Sequence, residues 1–242
     1  MEKIVSAFAA AKKRLLLLDY DGTLVEYAPT PERAAPSEEV IHLLTMLMSD
    51  TRNTVVLISG RPPETLDRWF GDTGVDAAAE HGHFVKRSGH WRRTTTENND
   101  WKPMVKKHMS AAAGDVSGSF IEEKGTSLVW HYRQAHPAVA QKIVEELMQT
   151  LTTIPGVHVS HGAKIVEARQ SGADKGMVAS NWLNGHSYDF ILAAGDDTTD
   201  EDLFAALPKT AYTIKIGDQS TVARIHLSSP KDFLILLQKM AS

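Results

Sequence analysis

Four consecutive leucines, Leu15 to Leu18, run straight into two aspartates one residue apart, Asp19 and Asp21, in the stretch LLLLDYDGTL. An apolar run without alternation has no face to give to water, so the strand it forms must be covered on both sides, as in a parallel sheet between two layers of helices. The runs TVVLISG, DFILAAGDD and TAYTIKIG repeat the pattern further along. Helix-period segments lie between them. Ser37 is placed to cap EEVIHLLTMLMSD, whose Val40, Leu43, Leu44 and Leu47 share one stripe. RPPETLDRWFG starts a helix with Pro62 in its first turn, and PKDFLILLQKM reads as a closing helix. The alternation predicts an α/β fold built on a parallel sheet.

The middle of the chain follows another rule. In SFIEEKGTSLVWHYR, a two-residue turn at Gly125-Thr126 would pair Lys124 with Ser127 and Glu122 with Val129. Glu122, Lys124, Ser127, His131 and Arg133 then share one face, and Ile121, Leu128, Trp130 and Tyr132 the other, which can pack. PAVAQKIVEELMQTL reads as an amphipathic helix on Val139, Ile143, Leu147 and Leu151, followed by the strand-like VHVSHGAKIVEAR. Antiparallel strands with helices, set between two halves of a parallel pattern, predict a smaller inserted domain over 104–170 within a core of 1–103 and 171–242.

Composition narrows the chemistry. A net charge of -4 gives no basic field for nucleic acid, and the absence of cysteine excludes a thiol nucleophile, disulfides and thiolate zinc sites. No apolar stretch approaches the ~20 residues that cross a bilayer, so no membrane partner is expected and a cytoplasmic location is the default. In open parallel sheets ligands bind beyond the carboxyl ends of the strands. Asp19 and Asp21, then Ser59, then Asp196 and Asp197 stand at three such ends, and Lys175 in GADKG stands near the start of the helix before the last of them. Carboxylates gathered at one rim repel unless a cation joins them, and Mg²⁺, which takes oxygen ligands and phosphate, suits the set.

DYDGT, SGRP, DKG and GDDTTDED, in that order, resemble the motifs of the haloacid-dehalogenase superfamily of phosphatases. With LDYDGTL, ISGRP, AEHG, EEK, HYR, VEAR and GDDTTDEDLF together, the chain is similar to trehalose-6-phosphate phosphatases over essentially its whole length. The resemblance implies a Rossmann-like core with an inserted α/β cap of the C2B type, and Mg²⁺-dependent hydrolysis of trehalose 6-phosphate. It gives Asp19 the nucleophile's role and Asp21 that of general acid and then base. Mg²⁺ would be held by Asp19, the backbone carbonyl of Asp21 and Asp196, with Asp197 behind them or joined through water. Ser59 and Lys175 would hold phosphoryl oxygens. In the cap, Glu122, Lys124, Arg133 and Glu167 would contact the distal sugar, with Arg61 nearby. A trehalose-phosphate synthase is the partner this implies. The family pattern often continues VExR with proline, where this chain has Gln170.

Plainer readings stand beside these. Ser59 could cap the helix that Pro62 begins, Lys175 could be a solvated lysine, and the hairpin charges could be a solvated face. Thr198 and Glu201 form a T-x-x-E capping box, so they and Asp200 read as helix-start residues. His81 could support the cleft from the next strand end. A phosphatase for another sugar ester, such as sucrose 6-phosphate, would share the chemistry and differ in the cap. A non-catalytic sugar-phosphate sensor is disfavoured, because every catalytic side chain is present.

Overall fold

The computed structural model describes residues 1–162 and 164–242. Along the chain run α1 (Glu2–Ala10), β1 (Arg14–Asp19), α2 (Glu38–Ser49), β2 (Asn53–Ile58), α3 (Pro63–Phe70), β3 (Asp76–Ala79), β4 (Phe84–Arg87), β5 (His90–Arg93) and α4 (Lys102–Asp115). Then follow β6 (Phe120–Glu123), β7 (Ser127–His131), α5 (Pro137–Leu151), β8 (Val157–Gly162), β9 (Ile165–Gln170) and α6 (Lys175–Leu183). β10 (Phe190–Gly195), α7 (Thr199–Ala206), β11 (Tyr212–Ile216), β12 (Ile225–Leu227) and α8 (Pro230–Ala241) complete the chain. They form two units, Met1–Thr94 with Asp174–Ser242, and Thr95–Ala173.

The first unit holds a sheet in the order β12-β11-β10-β1-β2-β3-β4-β5, with neighbours parallel from β12 to β3 and antiparallel from β3 to β5. Its central strand is the leucine run. Leu15 and Leu17 pack with Val178, Trp182 and Leu203 of α6 and α7, while Leu16 and Leu18 join Leu43, Leu44, Phe233 and Leu237 of α2 and α8. All four leucines are 0% exposed, as unbroken apolarity requires. Ser37 caps α2 by accepting from the Val40 N–H at 3.3 Å. From β1 the chain adds β2 and β3 on one side and returns with β10 to β12 on the other, so the order reverses at β1, where a ligand crevice forms outside the carboxyl ends. Helix α1 and the antiparallel edge β4–β5 are structure that the apolar runs gave no sign of.

The second unit is a sheet in the order β6-β7-β9-β8, antiparallel throughout, with α4 and α5 on one face. Leu128, Trp130, Val166 and Ala168 meet Val105, Met109, Val144 and Leu147 there. The hairpin has the expected register: Glu122 pairs with Val129, and the Lys124 N–H donates to the Ser127 carbonyl at 2.9 Å. Two details differ. The buried stripe of α5 is Ala140, Val144, Leu147 and Leu151, and Val139 is 48% exposed. A row of strict i, i+4 steps drifts around the helix, since four residues overshoot a 3.6-residue turn, so its first member leaves the core face. The unit also spans Thr95–Ala173, against the 104–170 read from the sequence. Residue 104 lies inside α4, and Gln170 ties the segment before it, donating to the Thr96 carbonyl at 2.6 Å and accepting from Asn98 N–H at 3.2 Å. The Gln170 N–H also donates to the Thr126 carbonyl at 2.8 Å, a bond proline could not make.

Candidate active site

Asp19 ends β1 and is buried. Its Oδ1 accepts from Lys175 Nζ at 2.7 Å, while Oδ2 is buried with no hydrogen-bond partner among the described residues. Lys175 opens α6, which Asp174 caps by accepting from the Met177 N–H at 2.7 Å, and its ammonium also donates to Asp200 Oδ1 at 2.7 Å. Asp200 Oδ2 in turn accepts from the N–H groups of Asp196 and Asp197 at 3.1 and 3.0 Å. Gly195 makes that approach possible, because a Cβ there would lie 2.0 Å from Asp200 Cγ. Gly22, at φ +83°, turns the chain out of β1 beneath Asp196, and a Cβ there would lie 2.2 Å from Asp196 Oδ2. Asp196 accepts from Tyr27 Oη at 2.6 Å on Oδ2 and from Thr23 Oγ1 at 3.5 Å on Oδ1.

Asp19, Asp196 and Asp200 bring carboxylate oxygens within 4.8 Å of one another. Were all three ionised, the Lys175 ammonium would leave two negative charges unmatched, the charge of one divalent cation. Burial pushes the Asp19 carboxyl well above its ordinary range, with Lys175 opposing and the neighbouring carboxylates adding to the rise. Asp196 is pushed up to about 7, first by burial and then by Asp200. Lys175 is held above its usual range: burial pulls it down, and Asp19 and Asp200 outweigh that. A pair of carboxyls that prefers protons in an apolar setting is one that a hard cation can occupy instead. The carboxylates of Asp19 and Asp196 fit that role, whereas Asp200 already answers the Lys175 ammonium on one oxygen and two backbone N–H groups on the other, so Asp200 holds the loop and the lysine.

The other residues of the rim are arranged around Asp21. Arg61 donates to it twice, Nε to Oδ2 at 2.8 Å and Nη2 to Oδ1 at 2.6 Å, and also to the Pro31 carbonyl at 2.9 Å, with its guanidinium 4.5 Å from the Trp69 ring centre. Ser59 is buried, and its Oγ accepts from the Arg61 N–H at 3.1 Å. It does not cap α3, which begins at Pro63 with Pro62 as its cap residue. His81, at the end of β3, donates its N–H to the Ser59 carbonyl at 3.0 Å, and its ring lies against Gly60. Asp197 is outside the three-carboxylate group, its Oδ1 accepting from the Thr198 N–H at 2.7 Å. The T-x-x-E capping box does not form. Thr198 makes no side-chain cap, and Glu201 instead accepts from the Val222 N–H at 2.8 Å and from Thr221 at 3.0 Å, with Lys215 Nζ at 3.3 Å. The signal that would have found Asp200 is its place four residues after Asp196, early in a helix, where a carboxylate can turn back onto the preceding N–H groups.

In the inserted unit, the strand register sets Glu122, Val129, Glu167 and Ser160 in one row across the face opposite the helices. Lys124 Nζ stands 4.0 Å from both Glu122 Oε2 and Glu167 Oε1, so the two acids flank one ammonium. Glu167 is only 4% exposed. His131 Nε2 meets Glu122 Oε2 at 2.8 Å, and its ring stacks on Phe120 with centroids 4.6 Å apart. Arg169, paired with Ser127 on the same face, is a further buried cation that the sequence reading passed over. Arg133 lies beyond the end of β7, in the turn closed by the Ala135 N–H to the Tyr132 carbonyl at 3.1 Å, and so is outside the ladder expected to carry it.

The family model described as "Trehalose-phosphatase" matches residues 17–230. The chain is 39% identical over 244 residues to a bifunctional trehalose-6-phosphate synthase/phosphatase of Thermoproteus tenax, covering 99% of this chain and 33% of that protein. It is 32% identical over 266 residues to a trehalose-phosphatase of Schizosaccharomyces pombe, covering 100% of this chain and 32% of that protein. It thus spans about a third of the length of these relatives. The C-terminal domain of a trehalose-6-phosphate phosphatase from C. albicans superposes with a TM-score of 0.93 at 29% identity, over 99% of this chain and 96% of that one.

Proposed function

The chain belongs to the trehalose-phosphatase family, and from that premise we propose that it hydrolyses trehalose 6-phosphate to trehalose and phosphate through a phosphorylated Asp19. The observation that carries the reading is the buried, unpartnered Oδ2 of Asp19, an open carboxylate oxygen at the switch point of the sheet beside a buried ammonium. This oxygen attacks phosphorus as the bond from phosphorus to the sugar oxygen breaks. Asp21 gives its proton to the departing oxygen and then takes one from the water that cleaves the acyl phosphate, restoring Asp19. Arg61 holds Asp21 by two hydrogen bonds, which fixes where that carboxyl stands at the rim. Lys175 and Ser59 hold the phosphoryl oxygens, where loss of one fixed donor costs ~10²- to 10³-fold.

Asp19, Asp196 and the Asp21 backbone carbonyl would hold Mg²⁺, which when bound offsets the charge that keeps a carboxylate from a phosphate dianion. Glu122, Lys124, Arg133 and Glu167 would read the distal sugar; two acids about one ammonium make a set of acceptors and donors suited to hydroxyls. The synthase named in the Thermoproteus relative supports a trehalose-phosphate synthase as the source of the ester.

The test is phosphate release with Mg²⁺ from trehalose 6-phosphate, sucrose 6-phosphate, glucose 6-phosphate and an aryl phosphate, with EDTA as control. A preference for trehalose 6-phosphate of about 100-fold or more, ~2.7 kcal/mol in transition-state binding, is expected. Flat, Mg²⁺-dependent activity would keep the chemistry and discard the substrate; tight binding without release would leave a sensor.

A further inference from the structure

Resting on the reading of Asp19 and Asp196 as cation ligands, we propose that Tyr27 is a positioning residue that sets how tightly the site takes Mg²⁺, by fixing the carboxylate of Asp196. Lys175 is shared by Asp19 and Asp200, whereas the side chains that donate to Asp196 among the described residues are two hydroxyls, Tyr27 Oη at 2.6 Å and Thr23 Oγ1 at 3.5 Å. A neutral donor aligns a carboxylate without cancelling its charge. The oxygen that accepts from Tyr27 therefore keeps a second lone pair and its negative charge for a cation. Groups behind a metal ligand commonly govern affinity by 10- to 100-fold, because a ligand that must be frozen on binding binds more weakly than one already fixed.

The loop that carries Tyr27 is itself built to hold the hydroxyl. Leu24 N–H donates to the Tyr20 carbonyl at 2.9 Å and Gly22 N–H to the Val25 carbonyl at 2.8 Å, closing the turn that follows the nucleophile strand. Gly22 and Thr23 of this turn, and Tyr27 two residues beyond Val25, therefore approach Asp196, the two hydroxyls on different oxygens. The nucleophile loop thus orients a cation ligand that arrives from β10. The Tyr27 residue is 39% exposed, so its hydroxyl can be removed without opening a hole in the core.

The experiment titrates Mg²⁺ calorimetrically, and Mn²⁺ by the paramagnetic signal of the free ion, into EDTA-stripped wild type and Tyr27→Phe without substrate. The expected result is a Kd raised about 10-fold or more in the variant, an unchanged melting temperature in EDTA, and a deficit in phosphate release that shrinks as Mg²⁺ is raised. Equal or tighter metal binding by Tyr27→Phe overturns the proposal while leaving the metal reading standing. A wild type that takes up neither ion overturns both.

Discussion

Asp200→Asn replaces one oxygen by an NH₂ at a residue with 0% exposure whose described hydrogen-bond partners are all donors. Asp200 accepts from the Lys175 ammonium on one side and from the N–H groups of Asp196 and Asp197 on the other. If the asparagine oxygen keeps the two backbone donors, its NH₂ faces the ammonium; if it turns to the ammonium, the NH₂ meets two N–H groups. Either way at least one charge-assisted bond worth ~1.5–3 kcal/mol is lost, and the Lys175 ammonium loses one of its two acidic partners. Removing a partner from a buried ionic group costs ~3–5 kcal/mol. An opposing effect exists, since Asp200 repels Asp19 and Asp196. Burial already drives those two carboxyls toward their protonated forms without a cation, so little repulsion remains to be relieved. A net loss of about 3 kcal/mol, at ~2–4 °C per kcal/mol for a chain of this size, lowers Tm by ~6–12 °C. The assay is a thermal melt followed by circular dichroism in EDTA, paired with phosphate release. A Tm within about 2 °C of wild type, on that same scale, would refute the reasoning that Asp200 holds the lysine and the 196–197 turn together.

Other consequences follow from the same geometry. Asp196 titrates near 7 without a cation, so Mg²⁺ must displace a proton below that pH; its affinity should tighten by roughly 10-fold from pH 6 to pH 8, and a pH-independent calorimetric Kd would contradict the assignment of Asp196 as a ligand. The sign for stability runs the other way: a carboxyl raised on folding contributes most below its unfolded value near 4, and that contribution is lost as pH rises through about 7, so Tm in EDTA should fall over this window while Mg²⁺ restores it at the upper end. Glu167→Ala, which takes one acid from beside Lys124, should raise KM for trehalose 6-phosphate at least 10-fold while an aryl phosphate is hydrolysed nearly as before; equal losses on both esters would detach the cap acids from specificity.

What the sequence made legible was whatever repeats or is obligatory. Leu15 to Leu18 could only be a strand covered on both faces, and of the residues read at the strand ends Asp19, Lys175 and Asp196 do come together, while Asp197 stands outside their carboxylate group. The hairpin register followed from alternation alone. The misses share a cause: each depended on a partner distant in sequence. Asp200 looks like the start of a helix until Lys175 arrives from another segment to take its other oxygen. Glu201 completes a capping-box pattern in sequence, yet a buried lysine on β11 and the amide of Val222 are better partners. Tyr27 sits in a loop with no period at all, and nothing short of the fold brings its hydroxyl to a residue on β10. Val139 illustrates the reverse case, where a tidy spacing was read as a face that the helical pitch does not keep, while Ile143 still packs at the edge of the core.

The insertion of Thr95–Ala173 into the first unit also governs the order in which the molecule can be made. β1 needs β10 on one flank, Arg14 pairing with Phe190, and the two are separated by the whole second unit. A ribosome adding ~5–20 residues per second leaves the leucine strand waiting on the order of 10–35 s for that neighbour. During that interval a strand apolar on both faces presents a raw edge, the kind that seeds intermolecular pairing. The inserted unit, whose strands and helices are contiguous in sequence, can complete itself meanwhile. Yield on overproduction should therefore depend on chaperone supply and synthesis rate more than on the stability of the finished fold.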